Sequence, residues 1–111
     1  MNKKLYKVMF TGDSVTDAGS LKPVGDGINE VGTGYVSNIM FWSWADHPNM
    51  NVRIMNSAIS GNTSVKLIGR FDDDVLSYSP DVVYILIGIN DVRRFVDENM
   101  VKPEYQISIS Y

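Results

Sequence analysis

Three short turns carry the residues of this sequence that are best suited to chemistry. Ser14 follows an apolar, strand-like run, and Gly61 and Asn90 follow two later runs of the same kind. A serine hydroxyl is an oxygen nucleophile, and backbone N–H groups and a side-chain amide stabilise the oxyanion of a tetrahedral intermediate. These residue types predict acyl transfer, with Ser14 as nucleophile and Ser14 N–H, Gly61 N–H and the Asn90 amide as oxyanion donors.

The first turn, Gly12-Asp13-Ser14, also has a purely structural interpretation. Serine is among the residues preferred at helix N-caps, so these three residues alone favour a cap over a nucleophile. We expect Gly12 to let the turn close without an obstructing side chain, and Asp13 and Thr16 to hydrogen-bond backbone groups around it. It is the two later turns that favour chemistry.

Alternating strand and helix patterns position these turns. The sequence predicts strands over residues 5–10, 52–56 and 81–87, and helices over residues 35–45 and from Thr63 or Ser64 to residue 76. Such alternation predicts a parallel sheet with right-handed crossovers. The carboxyl ends of its strands then share one edge, which is where open α/β sheets bind ligands. Residues 18–32, rich in Gly, Pro, Asp and Asn, predict a loop at the rim of that site.

The predicted helices differ in how clearly they mark a buried face. The first has a broad apolar stripe that we expect to cover the sheet: Tyr35, Val36, Ile39, Met40, Trp42 and Trp44. The second places Leu67, Phe71 and Val75 on one face. Its acidic run, residues 72–74, is typical of a solvated face rather than a metal site, because adjacent helical residues point in different directions. Beyond residue 92 the chain is polar, Pro103 suggests a helix start, and residues 107–111 alternate.

Composition argues against several classes of function. The chain has 111 residues, a net charge of −3, no cysteine and one histidine. We therefore expect a single small domain over residues 1–111, no nucleic-acid partner, no thiolate or disulfide chemistry and no metal. The basic start of the chain leads into an apolar run too short for a signal peptide, and no segment is long enough to span a membrane. The expected location is the cytoplasm.

The three turns resemble sequence blocks of a known family. Gly12–Asp17, Ser60–Asn62 and Gly88–Asp91 are similar to blocks I, II and III of the SGNH hydrolases, also called GDSL lipases or esterases. The resemblance covers nearly all of residues 5–91. It implies a three-layer, flavodoxin-like α/β fold with strand order 2-1-3-4-5.

The resemblance also implies roles for residues. Ser14 becomes the nucleophile, Gly61 and Asn90 the oxyanion-hole residues, and the secondary site residues are Asp13, Asp17 and Asp91. The implied substrates are small acyl esters such as acetylated carbohydrates or lysophospholipids. No metal or organic cofactor is implied.

The family's fourth block, Asp-x-x-His, is missing from this sequence. The only histidine, His47, precedes Pro48 after the first helix, so we expect it at the far end of the sheet from Ser14. The catalytic base and its carboxylate are then expected beyond Tyr111 or on another chain. The parallel sheet is likewise expected to be incomplete on its carboxyl-terminal side, as in the truncated product of a longer gene. Residues 82–87 would form an unpaired apolar edge through which two copies could associate.

Two alternatives to an esterase remain. The chain can be a catalytically incomplete fragment or pseudoenzyme that binds an acyl or sugar ligand, or that pairs through its exposed strand. A flavodoxin-like nucleotide or phosphate binder is the weaker alternative, because the first turn lacks both a Gly-x-Gly pattern and a lysine.

Overall fold

The structure, a computed structural model, describes residues 4–99. It contains a four-stranded sheet of order β2-β3-β1-β4, with strands β1 (Tyr6–Gly12), β2 (Gly25–Asp26), β3 (Val52–Asn56) and β4 (Val82–Leu86). β1 pairs in parallel with both β3 and β4, so that Val8 lies opposite Ile54 on one side and Val82 on the other. The three parallel strands follow the 2-1-3 part of the predicted order, and the α/β fold is confirmed.

Four α-helices are present within residues 4–99: α1 (Ser14–Asp17), α2 (Tyr35–Asp46), α3 (Ser64–Asp74) and α4 (Ile89–Asn99). A 3₁₀ turn at Leu76–Tyr78 follows α3. The Thr63 side chain caps α3 by accepting a hydrogen bond from Lys66 N at 3.3 Å. None of these helices is long and apolar enough to cross a membrane.

Alternate residues of β1 build the cores on its two faces. Phe10 packs with Val36 and Met40 of α2. Met9 points to the opposite face and packs with Val75, which follows α3. The sheet therefore lies between helical layers, as the side-chain alternation of a doubly covered strand requires.

The structure differs from the sequence-based prediction in the loop over residues 18–32 and in the buried face of α2. The loop predicted over residues 18–32 contains β2, which pairs antiparallel with β3; a two-residue strand has no periodicity to detect. In α2 only Val36 and Met40 are buried, whereas Trp42 is 58% exposed. Because α2 is apolar on most sides, its sequence does not specify which face meets the sheet.

The last helix was not predicted. α4 begins at Ile89, within the stretch interpreted as a turn followed by a polar remainder. Its apolar residues Ile89, Val92 and Val96 have helical spacing, so the sequence does carry a periodic signal for this helix, although all three side chains are exposed. The predicted helix start at Pro103 and the alternating residues 107–111 lie outside the described residues.

Candidate active site

Ser14 lies at the carboxyl end of β1, immediately after a sharp turn. Gly12 has φ +148°, and a Cβ there would collide with the carbonyl oxygen of Leu86 in β4, so glycine is required as predicted. The buried Asp13 caps α1, its Oδ1 accepting from Val15 N at 3.3 Å. Ser14 is the first helical residue and its side chain is exposed. The cap interpretation of Ser14 is therefore wrong: Asp13 is the cap.

Thr16 has a different partner from the one expected. Its hydroxyl oxygen lies 2.6 Å from the hydroxyl of Tyr35 in α2 rather than on a backbone group of the turn. The tyrosine reaches Thr16 because α2 starts at the carboxyl edge of the sheet, a placement that the sequence alone does not reveal.

Asp17 joins the first turn to the second. Its Oδ2 accepts from Ser60 N at 2.9 Å and from Ser60 Oγ at 2.8 Å. Its Oδ1 accepts from Ser20 and from the Lys22 ammonium, which also forms an ion pair with it. Burial by itself would raise the pKa of Asp17, but the hydrogen bonds from Lys22, Ser60 and Ser20 outweigh burial and lower the pKa to about 2. The charged Asp17 carboxylate therefore links the first turn to the second by hydrogen bonds.

Gly61 occupies the turn that Asp17 holds. Its φ of +84° is the left-handed conformation that favours glycine. No atom lies within 4 Å of the position that a Cβ would take. The observed reason for glycine is therefore the backbone conformation, and the space beside the turn is open.

Asn90 and Asp91 tie the third turn to the second. The Asn90 Nδ2 donates to the carbonyl oxygen of Asn62, the residue after Gly61, at 3.1 Å. Both carboxylate oxygens of Asp91 accept from Ser64 N, and Oδ1 also accepts from Ser64 Oγ at 2.6 Å. The hydroxyl of Ser64 is the main cause that lowers the pKa of Asp91.

The structure therefore places all three predicted turns at one edge of the sheet and bonds each to the next. Ile59 N donates to the carbonyl oxygen of Gly12 at 3.1 Å, which links the second turn to the strand end that carries Ser14. Asn90 completes the series through Asn62. An exposed serine hydroxyl, a glycine N–H and an amide side chain at one edge are the groups that acyl transfer needs.

Two further residues hold this edge together and were not singled out from the sequence. The Asn56 side chain, fully buried, donates to the carbonyls of Thr16 and Val31 and accepts from Ala58 N. Arg70 of α3 donates to the carbonyl oxygens of Gly12 and Ser57 and to Asn62 Oδ1. The available sequence signal for Arg70 is its spacing: an arginine three residues after the buried Leu67 lies close to the inward face of a helix.

No residue within 4–99 is placed to act as a base for Ser14. The described residues give the Ser14 hydroxyl no hydrogen-bond partner. His47 ends α2 and lies against Trp42, with ring centroids 5.5 Å apart. From there the chain enters the amino end of β3, where Asn51 bonds to Tyr6 N. As predicted, His47 lies at the edge of the sheet opposite to Ser14.

The acidic run of α3 has a structural role at one of its members. Asp74 accepts from Arg70 Nη1 at 3.2 Å, while Asp72 and Asp73 are exposed. Over the described part of the chain, no group of three or more His, Cys, Asp or Glu side chains is arranged to hold a metal ion.

Comparison with known proteins decides the family. The model of the GDSL-like Lipase/Acylhydrolase family matches residues 10–107. This chain belongs to that family. The matched region contains all three turns of this GDSL-family chain, together with β3, β4 and the carboxyl end of β1.

The relatives that this GDSL-family chain matches are longer than the chain itself. An acetylxylan esterase of Geobacillus stearothermophilus is 42% identical over 100 residues, which are 89% of this chain and 46% of that protein. Its crystal structure superimposes with a TM-score of 0.82 over 88% of this chain and 45% of that one. An α/β hydrolase enzyme from the metagenome of Lake Arreo, Spain, is 38% identical, with a TM-score of 0.79 over 88% of this chain and 46% of that one.

Structures of three catalytic mutants of the Geobacillus enzyme also match, in which a serine, an aspartate or a histidine is replaced by alanine. This chain spans about half the length of the relatives that it matches.

Proposed function

We propose that this chain supplies the nucleophile and oxyanion hole of an SGNH-type serine esterase. The observation that carries the proposal is the hydrogen-bonded series of three turns, which joins the Ser14, Gly61 and Asn90 segments at one edge of the sheet. Family membership and 42% identity to an acetylxylan esterase support the same chemistry.

In the proposed reaction, Ser14 Oγ attacks the carbonyl carbon of an ester and its proton passes to a base. The carbonyl oxygen becomes an oxyanion that accepts from Ser14 N–H, Gly61 N–H and Asn90 Nδ2, each donor contributing about 3 kcal/mol. The intermediate collapses with loss of the alcohol, and water then releases the acid from the acyl-enzyme. We propose that the base and its carboxylate come from polypeptide beyond Tyr111 or from another chain.

The proposed substrate class is a small acyl ester, and acetylated carbohydrate is the preferred member. The support is the name of the Geobacillus relative, an acetylxylan esterase. Lysophospholipids, the other class that the family resemblance implies, have no such support among the relatives compared. Release of acetate from acetylated xylooligosaccharides, against fatty acid from a lysophospholipid, distinguishes the two.

A fluorophosphonate probe tests the nucleophile. An extended chain that supplies an Asp-x-x-His segment should label at Ser14 at least about a thousandfold faster than residues 1–111, since loss of a triad's base costs a serine hydrolase up to about a millionfold in rate. Ser14→Ala should abolish labelling. Ser77→Ala is the matched control, because the Ser77 hydroxyl bonds to the Asp73 carbonyl in the turn after α3, and labelling should continue. Equal labelling of Ser14→Ala would reject Ser14 as nucleophile.

One observation favours a second candidate, association through an exposed strand. Within residues 4–99, β4 pairs with β1 on one side and with no strand on the other, and four of its five residues are exposed. Beside it lies an apolar groove of about 610 Å³ lined by Tyr84, Leu86 and residues of β1 and α2. An apolar edge of this kind pairs with another strand, so we propose that isolated copies associate through residues 82–87. A sedimentation coefficient that does not change with concentration would contradict this.

Cytoplasmic localisation and a single truncated domain over residues 1–111 stay predictions. Fractionation of cells that express the gene tests the first. Limited proteolysis, which would separate a second folded unit if one existed, tests the second.

A further inference from the structure

Arg70 of α3 contacts the ends of β1 and β3 and the turn that contains Gly61, and it is linked to the Asn90 segment through Asn62. Its Nη1 donates to the carbonyl oxygen of Ser57, at the end of β3, at 2.6 Å. Its Nη2 reaches the carbonyl oxygen of Gly12, at the end of β1, at 3.5 Å. Its Nε donates to Asn62 Oδ1, next to Gly61, at 2.7 Å. All three guanidinium nitrogens are therefore engaged.

The contact with Asn62 extends to the third turn. Asn62 receives Arg70 on its side-chain oxygen and the Asn90 amide on its backbone oxygen. A displacement of Asn62 would therefore move the acceptor on which the Asn90 amide is held. Through one neutral residue, Arg70 is coupled to both proposed oxyanion donors of the second and third turns.

The geometry points to Arg70 as a positioning residue that fixes the relative placement of Ser14, Gly61 and Asn90. This inference rests on the proposed function for its catalytic meaning. Arg70 is itself held by Asp74, four residues on, and its side chain is only 15% exposed. It faces backbone and side-chain oxygens of the protein and not the open space beside Gly61.

The role depends on the shape of the guanidinium and not on its charge alone. Arginine presents five N–H donors in a planar fork, whereas lysine presents one compact ammonium group on a flexible stem. A lysine at this position keeps the charge beside Asp74 but cannot reach Ser57, Gly12 and Asn62 together. Arg70→Lys therefore separates positioning from a simple requirement for positive charge.

Hydrogen exchange and probe labelling test the inference, with Arg70→Lys as the variant. The amides of Ile59 and Asn62, bonded to the carbonyls of Gly12 and Ile59, should exchange about tenfold faster or more. The Met9 amide in the core should be unchanged. Fluorophosphonate labelling of Ser14 in the extended chain should fall about 10- to 100-fold, the usual cost of a small misplacement at a reacting centre.

Arg53→Lys is the matched control. Arg53 also donates to a carboxylate, that of Asp26, but joins β3 to β2 away from the three turns. It should change neither exchange at Ile59 nor labelling of Ser14 by more than about twofold. Wild-type exchange and labelling in Arg70→Lys, or equal effects in Arg53→Lys, would overturn the inference.

A general loss of structure and a failure of Ser14 labelling have different meanings. If Arg70→Lys also speeds exchange of the Met9 amide, the variant has lost its core, and Asn62→Ala is measured instead. Asn62→Ala removes the acceptor of Arg70 Nε and should speed exchange of the Ile59 amide. An unchanged Ile59 exchange rate in Asn62→Ala rejects the inference. If wild-type Ser14 is never labelled in the extended chain, the proposed function fails. The exchange data still decide whether Arg70 orders the turns.

Discussion

β1 has two parallel neighbours that are held in contrasting ways. On the β3 side, the buried side chains of Asn56 and Asp17 accept hydrogen bonds from Ala58 N and Ser60 N and so fix the turn that contains Gly61. On the β4 side, Asn90 and the half-buried Asp91 provide the ties, and the strand itself is exposed. We call the β3 side the closed flank and the β4 side the open flank. The contrast shows that one half of the candidate site is held by buried hydrogen bonds, while β4, on the other half, has no second neighbouring strand within residues 4–99.

The largest effect on stability is expected from Asn56→Ala, which removes buried hydrogen bonds of the closed flank. Asn56→Ala leaves the carbonyls of Thr16 and Val31 and the N–H of Ala58 without their partner in a fully buried place. We expect the free energy of unfolding to fall by about 3 kcal/mol. Urea denaturation measures this. Asn51→Ala, at an exposed position of the same segment, should change it by less than about 0.5 kcal/mol. Equal values for both variants would contradict the contrast.

Asp17→Asn should have the next largest effect. The amide keeps the shape of the side chain but loses the charge-assisted bonds from Lys22 and Ser60. We expect a loss of about 2 kcal/mol in the free energy of unfolding, together with faster exchange of the Ser60 amide. Asp72→Asn, an exposed acid of α3, is the control and should have almost no effect. A stable variant with a protected Ser60 amide would show that the turn is held by other groups.

The stability of the folded chain should also depend on pH through the Asp17 carboxylate. The pKa of Asp17 is lowered from 3.8 to about 2 in the folded chain. The contribution of Asp17 to the free energy of unfolding is therefore fully present above about pH 4. It is lost as the pH falls from about 4 to 2, because over this range Asp17 binds a proton in the unfolded chain but not in the folded one. The wild type should lose about 2 kcal/mol of stability across this window that Asp17→Asn does not lose. Parallel stability curves for the two proteins would show that the carboxylate is not responsible.

A smaller effect on stability is expected at the open flank. Ile85 of β4 is 51% exposed, so Ile85→Lys should cost about 1 kcal/mol or less in the free energy of unfolding. A charged residue on the edge should nevertheless weaken self-association about tenfold or more, measured by sedimentation velocity. Val65→Lys, on the exposed side of α3, should leave association unchanged. If both lysine variants associate like the wild type, β4 is not the contact.

The smallest effect is expected at His47, which lies on neither flank of the candidate site. His47→Gln should change the rate of Ser14 labelling by less than twofold, because the ring lies against Trp42 at the opposite edge of the sheet. A loss of labelling larger than tenfold would identify His47 as the base, and would require another arrangement of the sheet.

The sequence by itself determined the parallel strands and the positions of the three turns. Apolar runs at β1, β3 and β4 end at glycine-containing turns, and this local pattern is sufficient to predict a common carboxyl edge. The start of α3 at Thr63 or Ser64 and the exposed edge at β4 follow from equally local rules, and the structure shows that Thr63 is the cap. The roles of Ser14, Gly61 and Asn90 stay predictions, but their segments were correctly expected to meet.

Only the tertiary structure decided which groups hold that edge together. Asp17 reaches Ser60 across 43 positions of the sequence and Arg70 reaches Gly12 across 58, and no local propensity encodes such pairs. The inward face of α2 and the pairing of β2 were likewise settled by packing, because an almost wholly apolar helix and a two-residue strand carry little periodic signal. Short-range patterns therefore placed the turns, and long-range hydrogen bonds oriented them.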